Sequence, residues 1–148
     1  MVRVAGAGPG TLSNVVAQIE AVNGKGLAVQ CDLTKPEQVG EAVRKIVAAY
    51  GRVDVLVNNG GGQFFSPAEA ISDKGWDAVV ATNLTGTWNL TRAVADQAML
   101  KAGGRIVNVT MLTRNAFPGM THSVAARAGV EAMTRTLAVN TATLSSSG

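Results

Sequence analysis

Hydrophobic and polar positions along the chain change between two spacings, which predicts strands separated by helices. Four short runs rich in β-branched residues predict strands, at 2–5, 27–31, 53–57 and 105–110. Between and after them, apolar residues recur three or four positions apart, which predicts helices at 12–19, 36–50, 76–101 and 123–139. Strands alternating with helices are typical of βαβ units, so we expect a parallel α/β sheet covered by helices.

The strand at 53–57 is followed by Asn58 and Asn59 and then by three glycines, Gly60, Gly61 and Gly62. In parallel α/β folds, ligands bind where strands end. Asparagine tolerates strained backbone, and glycine removes the Cβ that would keep a flat cofactor away. On these residues alone, two interpretations stay open: a small-molecule site, or a tight turn after a buried strand.

Length and composition favour one globular domain, because the chain has 148 residues and 47% of them are hydrophobic. We place this domain at residues 1–140 and expect the small, polar residues 141–148 to form a disordered tail. No apolar run approaches the ~20 residues of a membrane span, so we expect no membrane partner. Cys31 and His122 are the only residues of their types, which disfavours a disulfide framework or a metal site.

The charge balance is mildly basic, with a net charge of +3. Such a balance suits ligands that carry phosphate. The Lys and Arg residues are scattered, and only 4% of residues are aromatic, so we expect no nucleic-acid partner.

Five segments, in this order and spacing, resemble the short-chain dehydrogenase/reductases: residues 31–34, 54–61, 82–87, 104–109 and 128–134. Residues 60–69 and 125–129 are most similar to peroxisomal trans-2-enoyl-CoA reductases and their bacterial relatives. The resemblance implies a Rossmann-like three-layer αβα domain that uses NADP(H), with NAD(H) as the other possibility. It also implies truncation at both ends, since a βα unit before Asp32 and the last strands of the family are missing.

The missing βα unit affects the expected sheet. With the strand at 2–5 in the central position, right-handed crossovers give a parallel sheet of three to four strands in the order 2-1-3-4. Residues 6–10 would then form a phosphate loop before a helix N-terminus. The alternative is that residues 1–10 are a flexible leader.

The resemblance implies a set of cofactor-binding residues, which are Asp32, Leu33, Asn58, Asn59, Gly60, Gly61 and Arg127. For Asp32 the alternatives are contact with the adenine edge and capping of a helix. Gln63 and the two phenylalanines after it either line an acyl pocket or belong to the core.

The family's catalytic Tyr-x-x-x-Lys pattern falls on Ser123 and Arg127. A serine hydroxyl cannot replace a tuned tyrosine as general acid, so the usual ketone-reducing triad is missing. Several enoyl-CoA reductases of the family depart from the triad in the same way. The resemblance therefore implies Asn83, Thr110, Ser123 and Arg127 as catalytic residues. His122 is interpreted as a loop residue beside Ser123 rather than as a catalytic base.

The resemblance therefore implies an NADP(H)-dependent oxidoreductase that reduces the C=C bond of an enoyl-CoA-type thioester. The alternative is an inactive fragment that binds a nucleotide or dimerises. In the family, the helices at 77–101 and 123–139 pack against a second subunit, so we expect a homo-oligomer, although the same residues could cover the sheet within one subunit. We expect a cytoplasmic location, or a peroxisomal one in a eukaryote, although no Ser-Lys-Leu-type signal ends the sequence.

Overall fold

The computed structural model describes residues 3–5, 12–115 and 117–145, with side chains for 12–115 and 117–139. The strands are β1 (Arg3–Ala5), β2 (Ala28–Gln30), β3 (Val55–Asn58) and β4 (Arg105–Asn108). The helices are α1 (Leu12–Glu20), α2 (Pro36–Tyr50), α3 (Asp73–Val80), α4 (Gly86–Val94), α5 (Leu100–Ala102) and α6 (Thr121–Ser145). The predicted alternation of strands and helices is confirmed, while the predicted phosphate loop at 6–10 lies outside the described residues.

Both strand pairs are parallel, as the α/β prediction requires. β1 pairs with β2, with Arg3 opposite Ala28, and β3 pairs with β4, with Val55 opposite Arg105. The expected order 2-1-3-4 also needs a ladder between β1 and β3. Within the described strands the pairs instead form two separate two-stranded sheets.

Helices connect the two sheets. α2 packs against both β2 and α4, and α4 in turn contacts β3. The helix layer therefore joins the two strand pairs around one hydrophobic core.

The hydrophobic core lies between this helix layer and the inner faces of the strands. It is formed by Val29, Cys31, Val39, Ala42, Val43, Ile46, Leu56, Leu90, Val94 and Met99. Residues 53–57 are apolar except for Asp54, a pattern typical of a strand buried on both faces, but β3 is buried on one face only. Leu56 points into the core, whereas Val55 and Val57 are 52% and 45% exposed. The described helices α4 and α6 contact the Asn58 and Asn108 side of this sheet, which leaves the valine side uncovered.

The predicted long helix at 76–101 is confirmed as a continuous helical segment from α3 to α5, with two π-helical turns at Ala81–Thr85 and Ala95–Met99. Around the first turn, Thr82 donates its hydroxyl to the Ala78 carbonyl and Thr87 donates to the Asn83 carbonyl. Hydroxyls that bond backbone carbonyls in this way compete with regular α-helical bonding. Asn83 thus lies in a π-helical turn, a feature often found at functional sites.

The helix ends follow local sequence signals only in part. α2 starts at Pro36 and ends at Tyr50, and the Gly51 that follows has a left-handed φ of 79°, so proline and glycine stand where helix ends favour them. Thr34 and Glu37 match the capping-box pattern, but no side chain caps α2, and the Thr34 hydroxyl donates to the Asp32 carboxylate instead. α6 continues to Ser145, so residues 141–145 are helical rather than part of a disordered tail. Their sequence contains no glycine or proline that would stop a helix.

Candidate functional site

The glycine loop after β3 is held in place by Asn83. The Asn83 Nδ2 donates to the Gly62 carbonyl at 2.9 Å, and its Oδ1 accepts from the Gly62 N–H at 2.9 Å. Asn83 itself is fully buried. One side chain thus satisfies both backbone groups of a loop residue, so the first π-helical turn fixes the position of the loop.

Arg127 holds the other side of the same loop from α6. Its Nη2 donates to the Gly60 carbonyl at 3.1 Å and to the Asn83 Oδ1 at 3.4 Å. Burial lowers the pKa of the Arg127 guanidinium, which nevertheless remains a cation because arginine does not deprotonate in proteins. The described residues provide no hydrogen-bond partner for the buried Arg127 Nη1. The loop therefore has a positive charge beside it, with one donor group left unpaired among those residues.

The glycines differ in why they are needed. A Cβ on Gly60 would lie 2.5 Å from the Leu33 Cδ1, and a Cβ on Gly61 would overlap the Arg127 Nη2. A Cβ on Gly62 would meet nothing within 4 Å. Gly60 and Gly61 thus lie against the Leu33 and Arg127 side chains, whose ends would have to shift to admit a Cβ. The loop faces open space at Gly62.

The residues after β2 lie at the same end of the molecule. Leu33 packs against Gly60, and its carbonyl accepts from the Asn89 Nδ2 at 2.9 Å. The exposed Asp32 carboxylate accepts from the Thr34 N–H at 2.9 Å and from the Thr34 hydroxyl at 2.8 Å, and these two bonds lower the pKa of Asp32. Asp32 therefore caps a local turn while remaining accessible to a ligand.

The Asn58 side chain forms hydrogen bonds within the fold. Its buried Nδ2 donates to the Thr91 hydroxyl at 3.0 Å and to the Asn108 Oδ1 at 2.8 Å. Asn108 in turn donates to the Thr134 hydroxyl at 2.8 Å. This polar chain joins β3, β4, α4 and α6, so the Asn58 side chain ties elements together. Asn59, the next residue, is exposed.

The four residues predicted as catalytic do not all come together. Asn83 and Arg127 are in contact, and Ser123 lies one helical turn before Arg127 on α6, fully buried and with its hydroxyl unpartnered. Thr110 is elsewhere: its hydroxyl bonds the Glu131 carboxylate at 3.4 Å. Glu131 is eight residues beyond Ser123, which corresponds to about 12 Å along the helix.

His122 lies in the first turn of α6 and not in a loop as predicted. It is fully buried, and neither ring nitrogen bonds to any residue that the structure describes. Its ring meets the ring of Phe64 edge to face, with centroids 4.4 Å apart. The sequence does contain a signal for this burial, because His122, Ala126 and Val130 are spaced four residues apart and all three are buried.

The part of the chain that the structure describes contains neither a metal-ligand cluster nor a membrane-spanning helix. Its side chains form no group of three or more His, Cys, Asp or Glu residues that could hold a metal ion. None of its helices combines the length and the apolar character needed to cross a bilayer.

Comparison with known proteins gives consistent matches. A family model described as short chain dehydrogenase matches residues 1–145. The 3-oxoacyl-(acyl-carrier-protein) reductase FabG of Thermotoga maritima is 37% identical over 128 residues, covering 86% of this chain and 52% of that protein. The peroxisomal 2,4-dienoyl-CoA reductase of Rattus norvegicus is 35% identical over 130 residues, covering 86% of this chain and 44% of that protein.

A solved structure shows the same similarity in three dimensions. The citronellol catabolism dehydrogenase AtuB of Pseudomonas aeruginosa superposes with a TM-score of 0.82 at 40% identity, covering 87% of this chain and 53% of that one. The chain spans about half the length of the curated relatives it matches. With its parallel strand pairs, its glycine loop and these matches, the chain belongs to the short-chain dehydrogenase/reductase family.

Proposed function

We propose that this chain forms the binding core of an NADP(H)-dependent oxidoreductase that reduces the C=C bond of an enoyl-CoA-type thioester. The observation that carries the proposal is the contact of Asn83 and Arg127 with the loop at 60–62, one helical turn from the buried hydroxyl of Ser123. A fixed loop, a cation and unpartnered buried donors in one place are the features of a ligand site.

The residues at this end of the molecule fit a nicotinamide cofactor. The Arg127 Nη1 is an unpartnered buried donor, the loop is open at Gly62, and the exposed Asp32 carboxylate follows β2. We infer that Asp32, Leu33, Asn59, Gly60, Gly61 and Arg127 hold the cofactor, while Asn58 shapes the loop from below. When bound, NADPH supplies a hydride. The choice of NADP(H) over NAD(H) follows the family resemblance.

The reaction places specific demands on the protein. The β-carbon of the enoyl thioester receives the hydride, and the α-carbon takes a proton from solvent. Negative charge develops on the thioester oxygen and must meet hydrogen-bond donors. Ser123 and Arg127 provide such donors, and Asn83 positions Arg127. In this proposal Thr110 does not donate to the thioester oxygen, because its hydroxyl is bonded to the Glu131 carboxylate.

The identity of residue 123 favours this reaction over ketone reduction, which the name of the FabG relative describes for that protein. Reduction of a ketone needs a general acid that protonates the new alkoxide. Ser123 has an alcohol-like pKa far above the ~10 of a phenol, so it is a poor acid at neutral pH. An enolate needs hydrogen bonds rather than immediate protonation on oxygen.

The test follows NADPH absorbance with crotonyl-CoA and with acetoacetyl-CoA in parallel. We expect oxidation with crotonyl-CoA only, and a loss on the order of 10²-fold in kcat for Arg127→Ala. Arg135→Ala, at an exposed position on the same helix, is the matched control and should keep the rate. Absence of oxidation with crotonyl-CoA, or equal rates for the two variants, would refute the proposal.

A second candidate is a nucleotide-binding or dimerising module without turnover, and the separation of the two strand pairs favours it. The partly exposed Trp76 and Trp88, each 39% accessible, fit a homo-oligomer through the helices at 77–101 and 123–139. Calorimetric titration that gives NADPH binding without any oxidation, together with a dimer in sedimentation, would support this candidate. A cytoplasmic location agrees with either function.

A further inference from the structure

We propose that His122 is a further catalytic residue of this site, whose imidazole N–H donates a hydrogen bond to the acyl carbonyl oxygen of the substrate. The inference rests on the proposed function, because it takes an acyl thioester as the substrate. The chemical role is stabilisation of the oxygen, and not transfer of a proton to or from the ring.

The environment of His122 has an energetic cost that its packing does not explain. The ring is fully buried, and neither nitrogen has a hydrogen-bond partner among the described residues. A buried polar group without a hydrogen bond destabilises the fold, because its desolvation is not compensated. The neighbouring positions on its stripe, Ala126 and Val130, are apolar and buried, so an apolar side chain at 122 would avoid this cost. A ligand that bonds the ring in the complex would offset it.

The unpartnered groups nearby indicate the chemistry of that ligand. Ser123 and Arg127 lie one turn apart on one face of α6, and His122 precedes Ser123 in its first turn; among the described residues, a buried polar atom of each has no hydrogen-bond partner. Guanidinium only donates, an imidazole has at least one N–H donor, and a hydroxyl can donate. The complementary group is therefore an acceptor oxygen.

Phe64 narrows the choice of oxygen. Its ring touches the His122 ring edge to face and is 42% exposed, so an apolar surface borders the donors. A phosphate group has no apolar atoms that could pack against Phe64. An acyl carbonyl has an acceptor oxygen and, beside it, a hydrocarbon chain that can cover Phe64. The oxygen becomes more negative during the reaction, so the donors bind it more strongly in the transition state.

His122 is the only histidine in the chain, so the ring can be observed by itself. Protein labelled with ¹⁵N-histidine gives one pair of ring-nitrogen signals in a long-range NMR spectrum. We would add butyryl-CoA, which has no C=C bond to reduce, and S-butyl-CoA, the thioether that lacks only the carbonyl oxygen. A ring-nitrogen shift with butyryl-CoA and none with the thioether is expected. Equal responses to both compounds, or no response, would overturn the inference.

Kinetics of variants give a second, independent readout. His122→Phe removes the donor and leaves an apolar ring against Phe64. A merely structural histidine predicts unchanged kcat and equal or higher stability for this variant, because a buried unpartnered polar group is gone. The proposal predicts kcat with crotonyl-CoA lower on the order of 10²-fold, with an unchanged NADPH dissociation constant. Unchanged kcat in folded His122→Phe would contradict it.

His122→Gln keeps an N–H donor and is the variant to use if His122→Phe does not fold. We then expect His122→Gln to keep more of the wild-type kcat than His122→Ala does, and equal kcat in these two variants would contradict the inference.

Failure of the proposed function looks different from failure of this inference. Without NADPH oxidation by the wild type the function is refuted, whereas the NMR comparison still decides whether His122 bonds an acyl oxygen.

Discussion

The contact of Asn83 with the glycine loop makes a quantitative prediction for Asn83→Ala. The substitution removes both bonds to the Gly62 backbone and the acceptor for Arg127. A protein hydrogen bond contributes about 1 kcal/mol net. Gly62 is exposed, so its backbone groups can bond water after the substitution. Only the two 2.9 Å bonds to Gly62 are counted, because the contact with Arg127 is longer, at 3.4 Å. We therefore expect the free energy of unfolding to fall by about 2 kcal/mol, which lowers the Tm by about 4–8 °C for a chain of this size.

The matched control is Asn89→Ala, six residues further along the same helical segment. Asn89 is also buried, but it makes one such bond, from its Nδ2 to the Leu33 carbonyl. Urea unfolding followed by circular dichroism measures both variants. The expected loss for Asn89→Ala is about 1 kcal/mol, half of that for Asn83→Ala.

NADPH titration calorimetry tests the functional part of the same reasoning. With its attachment to Asn83 gone, the loop must be ordered by the ligand, so the dissociation constant should rise for Asn83→Ala more than for Asn89→Ala. Equal stability losses and equal dissociation constants for the two variants would refute the idea that Asn83 holds the loop.

Two further predictions concern the residues around this loop. Gly61→Ala places a methyl group against Arg127 and should abolish NADPH binding measurable by calorimetry. Gly62→Ala, whose Cβ meets open space, should bind NADPH as the wild type does. Equal affinities of the two variants would contradict the packing argument. Hydrogen bonds from Thr34 lower the pKa of Asp32, so its stabilising effect is present above the ordinary carboxyl pKa of about 4 and is lost as the pH falls through the lowered value. We therefore expect the wild type to be more stable than Asp32→Asn at neutral pH and the difference to disappear in acid, as measured by urea unfolding at several pH values; a pH-independent difference would argue against it.

Local patterns predicted the elements of the fold well. Pro36 and Gly51 marked the ends of α2 because each acts through its own backbone geometry. Asn83, whose side chain is unfavourable inside a regular α-helix, lies in the π-helical turn at Ala81–Thr85. The same kind of signal also failed at Thr34, where Asp32 offered a competing acceptor for the hydroxyl. Whether a local bond forms depends on neighbours that a short motif does not include.

The sheet and part of the site depend on distant contacts, and there the sequence was a weaker guide. An apolar run such as 53–57 does not reveal whether both faces are covered, and Val55 and Val57 turned out exposed. The family motifs pointed to Asn83 and Arg127 as site residues, and in the structure both side chains bond the loop at 60–62. The same motifs could not reveal that the Thr110 hydroxyl bonds the Glu131 carboxylate.

The separation of the two strand pairs has a consequence for how cooperatively the molecule unfolds. No backbone ladder crosses the gap between the described strands, so β2 and β3 are connected through apolar side chains such as Val43 and Leu90. Apolar contacts weaken on cooling, because the hydrophobic effect is mainly entropic near room temperature. Cold should therefore uncouple the two halves before it breaks either ladder, and hydrogen exchange at low temperature should find two units where exchange at room temperature finds one.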